Sequence, residues 1–210
     1  LVKAVIFDWD GTIVDSAEPT YRCYARLFTE LGVAFDREIY ARTYSPNWYQ
    51  TFRALGVPEE RWPHADARWL AHFAEETVAL IDGARDALRE LASRGIHLGV
   101  VTSGSRPRIE REMEEHGLAD MIRECICGSD VVQKKPHPAA LQLCLSRLDI
   151  EPDDAVYVGD SPEDVEMARA AGVYAVAVPG GYPNRDALAA ARPDAVHATL
   201  GEAIRALVTR

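Results

Sequence analysis

Four short stretches of the chain combine residue types that can handle phosphate or a hard metal ion. Asp8 and Asp10 stand two residues apart in Asp8-Trp9-Asp10-Gly11-Thr12, directly behind an apolar run. Carboxylates so spaced at a strand end reach one small site from different directions as the chain curls, and Gly11 permits the tight turn. Thr102-Ser103-Gly104 offers a hydroxyl followed by a turn of exposed backbone donors, which suits phosphate oxygens. Lys134-Lys135-Pro136 puts positive charge just before a helical segment, with Pro138 near a favourable first helical position. In Gly159-Asp160-Ser161-Pro162-Glu163-Asp164 a second acid pair appears, Asp164 falling about one turn into the following helix and near its positive end.

Carboxylates crowded together repel one another and need a cation. A set of oxygens without clustered histidine or cysteine selects a hard ion, and magnesium is the expected one. Beside a lysine and a threonine, such an ion clamps the oxygens of a transferring phosphoryl group. One aspartate can then attack phosphorus while a second serves as acid and base. Each cluster alone has a bland reading as a surface turn, a solvated helix start or a helix cap. Their joint placement behind strand-like runs favours chemistry.

Those runs set the architecture. Apolar, β-branched segments at 2–7, 96–102, 123–127, 155–158, 173–178 and, weakly, 194–197 alternate with helical spacing such as Ala84, Leu88 and Leu91, or Leu141, Cys144, Leu145 and Leu148. Alternation of this kind predicts an α/β fold, a doubly wound parallel sheet with helices on both faces, and ligands beyond the carboxyl ends of its strands. From 16 to 81 no convincing strand is present, only helical pattern broken by turns, with residues 67–80 as its last helix. The expected organisation is therefore a core of 1–15 and 82–210 with a helical cap, 16–81, inserted above the site.

Composition narrows the class. The chain has 210 residues, 48% hydrophobic and 27% charged, enough to bury a real core. A formal net charge of -10 argues against nucleic acid as a partner. Four scattered cysteines make no disulfide framework, and Cys125 and Cys127 read as alternate residues of one strand rather than metal ligands. No secretory or membrane-spanning segment is legible, so a cytoplasmic location is expected.

The first cluster resembles the first motif of the haloacid-dehalogenase-like hydrolases, and Thr102, Lys135 and the run Gly159 to Asp164 resemble the second, third and fourth in order. The resemblance spans essentially the whole chain and is greatest to the phosphoglycolate-phosphatase-like branch. It implies a Rossmann-like core with a mobile cap and a Mg2+-dependent phosphatase acting on a small phosphorylated metabolite. It makes Asp8 the nucleophile and a metal ligand, and Asp10 the acid and base whose backbone carbonyl touches the metal. Thr102, with Ser103 beside it, and Lys135 would bind the phosphoryl oxygens; Asp160 would coordinate magnesium. Asp164 is a ligand, a holder of water, or a partner of the lysine in such proteins, and Asp15 is a structural acid at the cap hinge.

Departures from sister activities sharpen this expectation. Asp10 is absent from dehalogenases, and phosphonate-cleaving relatives need a cap lysine, which residues 16–81 lack. β-Phosphoglucomutase-like enzymes carry a histidine where this chain has Thr20, and an acid where it has Gly159. A sugar-phosphate mutase is thus the alternative within enzymes. Outside them stand a phosphate-accepting receiver-like module and a silent, partner-binding relative. Arg42, Tyr44, Asn47 and Trp48 in the cap are expected to contact the organic part of the substrate, against the alternative that Trp48, Tyr49 and Phe52 form the cap's own core. Arg106 and Arg108 follow the phosphate-binding turn; they either add positive potential there or form a solvated helix start, and the second reading is the expected one. Oligomeric state is left open between monomer and homodimer.

Overall fold

The computed structural model describes residues 2–209. In chain order the elements are β1 Ala4–Phe7, β2 Val14–Asp15, α1 Ala17–Leu31, α2 Arg37–Thr43, α3 Trp48–Ala54, α4 Trp62–Phe73, β3 Ala79–Leu80, α5 Ala84–Ser93 and β4 His97–Val101. They continue with α6 Arg106–Glu115, β5 Ile122–Ile126, α7 Ala139–Leu148, β6 Ala155–Gly159, α8 Pro162–Ala170, β7 Tyr174–Ala177, α9 Arg185–Ala190, β8 Ala195–Val196 and α10 Leu200–Val208.

Six strands form one parallel sheet in the order β5-β4-β1-β6-β7-β8. From β1 the chain works outward through β4 to β5, then returns to the other side of β1 and works outward again. The reversal leaves a crevice beyond the carboxyl ends of β1 and β6, where open α/β sheets bind ligands. Both central strands are buried throughout. Alternate residues feed opposite layers: Val5, Phe7, Val156 and Val158 pack with α5 and α10, while Ala4, Ile6, Ala155 and Tyr157 pack with α7 and α8. A strand covered on both faces has no polar side, which is why these segments read as continuous apolar runs.

Between β2 and β3 the chain is helical apart from turns. Its apolar side chains, among them Tyr24, Leu27, Phe28, Phe52 and Val57, form a separate buried cluster. The outgoing and returning chains pair as a short antiparallel ribbon, Val14 with Leu80 and Asp15 with Ala79. This ribbon corrects the expected helix over 67–80: α4 stops at Phe73, and the β-branched Thr77 and Val78 lead into β3. Among the described residues no helix is long and apolar enough to cross a membrane.

Candidate active site

Asp8 follows β1, and its backbone N–H bonds to Val158 O of β6 at 2.9 Å, so it continues the sheet's register into the crevice. Asp160 follows β6. The α8 N-terminus carries a capping box in which Ser161 Oγ accepts from Asp164 N–H and the Asp164 carboxylate accepts from Ser161 N–H. That local motif turns Asp164 back toward the strand end. Asp8, Asp160 and Asp164 are all buried, and each offers a carboxylate oxygen within 4.8 Å of the others.

Lys135, on the loop between β5 and α7, enters this cluster from the side. Its Nζ donates to Asp8 Oδ1 and Asp164 Oδ1, both at 2.7 Å, and to Tyr157 Oη at 2.8 Å. Three carboxylates against one ammonium leave two negative charges, the amount a divalent cation balances. Burial pushes Asp8 up to about 7, with Lys135 pulling it down and Asp164 adding repulsion. Burial also drives Asp160 well above the usual carboxylate range, reinforced by Asp8 and Asp164.

The two later acids differ in what their oxygens already hold. Asp164 Oδ1 takes Lys135 and lies 3.0 Å from Tyr157 Oη, while Oδ2 accepts from Asp160 N–H, Ser161 N–H and Ser161 Oγ–H. Its lone pairs are occupied. Asp160 Oδ2, by contrast, is buried with no hydrogen-bond partner, which is costly unless something else meets it. It also lies where glycines let backbone approach: a Cβ on Gly11, at φ +79°, would sit 2.3 Å from it, and one on Gly180 would sit 2.0 Å away. An unpaired buried oxygen, a net negative pocket and an all-oxygen donor set fit a hard divalent cation.

The remaining residues named from the sequence fall as follows. Thr102 is buried at the end of β4, where its Oγ1 accepts from Gly104 N–H at 3.0 Å and so shapes the turn. Ser103 is exposed on that turn. Asp10 faces Arg108 of α6, whose guanidinium forks onto it at 3.0 and 2.5 Å. Burial opposes the ionised form of Asp10, yet Arg108 and a hydrogen bond from Ser16 hold its carboxyl below the usual range. Arg106 bonds to Asp130 and to Cys125 O. Neither arginine is a solvated helix start; both find carboxylates that lie distant in the chain.

In the cap, Tyr44 stacks on Tyr182 of the core, ring centroids 5.0 Å apart and 15° from parallel. The other three have partners within the cap. Arg42 is exposed and paired with Glu38 at 3.3 Å, Asn47 caps α3 by accepting from Tyr49 N–H, and Trp48 stacks on Trp69 within the cap's aromatic cluster. Asp15 is exposed on the ribbon.

Three residues here were not legible. Tyr157 reads as one more apolar strand residue, yet its hydroxyl sits among Lys135, Asp164 and Val101 O. Tyr182 follows β7 in Gly180-Gly181-Tyr182-Pro183 and bonds Ser16 Oγ at 2.9 Å and Thr20 Oγ1 at 3.2 Å. The strand-end rule applied to β7 would have found it. Arg108 stands just after the phosphate-binding turn in the sequence, but nothing there shows that its partner is Asp10.

A model of the haloacid dehalogenase-like hydrolases matches residues 5–178. The chain belongs to this family. A phosphoglycolate phosphatase of Yersinia pseudotuberculosis is 32% identical over 216 residues, covering 98% of this chain and 93% of that one. Another, of Rhodospirillum rubrum, is 36% identical over 196 residues, covering 86% and 80%. The crystal structure of CbbY from Rhodobacter sphaeroides in complex with phosphate superposes with a TM-score of 0.77 at 28% identity, over 96% of each chain. For this haloacid dehalogenase-like hydrolase the α/β expectation and the family resemblance thus hold.

Proposed function

We propose that this hydrolase removes phosphate from small phosphorylated metabolites through a phosphorylated Asp8. The supporting observation is the meeting of Asp8, held by Lys135, with the unpartnered oxygen of Asp160 in one buried crevice. Asp8 Oδ2 attacks phosphorus while Oδ1 stays anchored on Lys135, so the nucleophile presents a fixed face. Lys135 also faces the phosphoryl oxygens, together with the Thr102 hydroxyl and the backbone donors of the Ser103 turn. Asp10 carries a proton taken from water in the preceding turnover on a lone pair outside the Arg108 fork, gives it to the departing alkoxide, then takes another from the water that cleaves the acyl phosphate. Asp164 keeps Lys135 in place, which accounts for its saturated hydrogen bonds. A magnesium ion held by Asp8, Asp160 and the Asp10 carbonyl would supply compensation for the charge gathered there.

The names of the relatives support a small, phosphoglycolate-like substrate, as does the Tyr44–Tyr182 stack that closes the cap onto the core. Against the mutase alternative, Thr20 is occupied by Tyr182 and carries no ring nitrogen for sugar recognition. The test is phosphate release from a panel of phosphomonoesters with and without magnesium. Multiple turnovers that require the metal and vanish in Asp8→Asn are expected; full activity in that variant would overturn the mechanism, and isomerised product without free phosphate would favour the mutase.

A further inference from the structure

Arg108 is a nearly buried cation outside the residues that the sequence motifs single out; its side chain is 10% exposed. Nη1 donates to Asp10 Oδ1 at 3.0 Å and Nη2 to Asp10 Oδ2 at 2.5 Å, a two-pronged grip that fixes the plane of a carboxylate as well as its distance. Nη1 also lies 3.3 Å from both oxygens of buried Glu112 one turn along α6. Glu112 Oε2 in turn accepts from Trp9 Nε1 at 2.7 Å. The chain of bonds therefore starts on Asp10 and ends on its neighbour Trp9, closing a ring through α6.

Two further contacts hold the guanidinium still. The Phe73 ring at the end of α4 covers it at 4.9 Å. Gly104 in the turn after β4 leaves it room, for a Cβ there would meet Nη2 at 2.5 Å. A surface arginine has no need of a glycine, a ring, a half-buried acid and a buried one.

Building on the aspartyl-phosphate reading above, we propose that Arg108 is a positioning residue that sets the orientation of Asp10 for proton transfer to the leaving oxygen. Without the grip, Asp10 keeps its place in the chain but samples rotamers that miss that oxygen. The loss falls on esters whose leaving group must be protonated, and spares those whose leaving group departs as a stable anion.

The test compares kcat/KM, which reports steps up to phosphorylation of the enzyme, for an alkyl phosphate and for p-nitrophenyl phosphate in Arg108→Gln and Arg108→Lys. In Arg108→Gln we expect a fall of about 100-fold for the alkyl ester and less than about threefold for the aryl ester. Arg108→Lys keeps the charge but not the fork; it should show the same split at smaller size and decides the matter if the glutamine variant does not fold. Equal falls for both esters, or a rise in KM alone for both, would overturn the inference. Asp8→Asn is run alongside: inactivity on both esters leaves only the role of Arg108 at issue, whereas activity there overturns the underlying mechanism instead.

Discussion

At the scale of single residues, the site is organised by what each carboxylate already holds. Asp164 is saturated, Asp10 is gripped by arginine, Asp8 is half engaged by Lys135, and Asp160 keeps one oxygen bare. The bare oxygen depends on glycines. Alanine at 180 would bring a Cβ within 2.0 Å of Asp160 Oδ2 and 2.6 Å of Gly11 O, and the second is backbone that cannot rotate away. Gly180→Ala is expected to cost about 1–3 kcal/mol and to lower magnesium affinity, read by thermal melting and by titration of activity with the metal. An unchanged melt and metal dependence would show that the loop tolerates the displacement.

At the scale of elements, the cap is tied together by ion pairs as well as rings. Glu30 of α1 accepts from Arg68 of α4 at 2.8 and 2.6 Å and lies 2.9 Å from His72 Nε2 on the next turn. The hydrogen bonds from Arg68, with His72 adding to them, hold Glu30 down at about 2. Because the folded value lies below the unfolded one, the contribution is complete above the unfolded pKa and disappears as pH falls through the folded value. The melting temperature difference between the native chain and Glu30→Gln should be full at about pH 5 and lost by about pH 2. A difference that grows on acidification would contradict this pairing.

Across the whole molecule, the cluster joins both halves of the sheet, since Asp8 ends β1 and Asp160 ends β6. Their mutual repulsion opposes folding until a cation relieves it. Magnesium at about 100 times its dissociation constant should add about 2.7 kcal/mol of stability, seen as a higher melting temperature than in chelator. Asp160→Asn should raise the chelator melt and remove most of the magnesium increment. If magnesium shifts native chain and variant equally, the ion stabilises the protein elsewhere.

What the amino-acid sequence determined by itself was the alternation of buried strands and helices, because parallel strands covered on both faces must be apolar throughout. It also placed the acids, the hydroxyl and the lysine at one edge of the sheet, since each follows such a strand. Only the tertiary structure decided which partners those groups take. Arg108 meets Asp10 across ninety-eight positions, and Tyr182 meets Ser16 and Thr20 across more than one hundred and sixty. Periodicity reports which side of an element is buried, but not which distant element lies against it. That choice belongs to packing: the fold brings α6 beside the end of β1 and lays the turn after β7 beneath the cap.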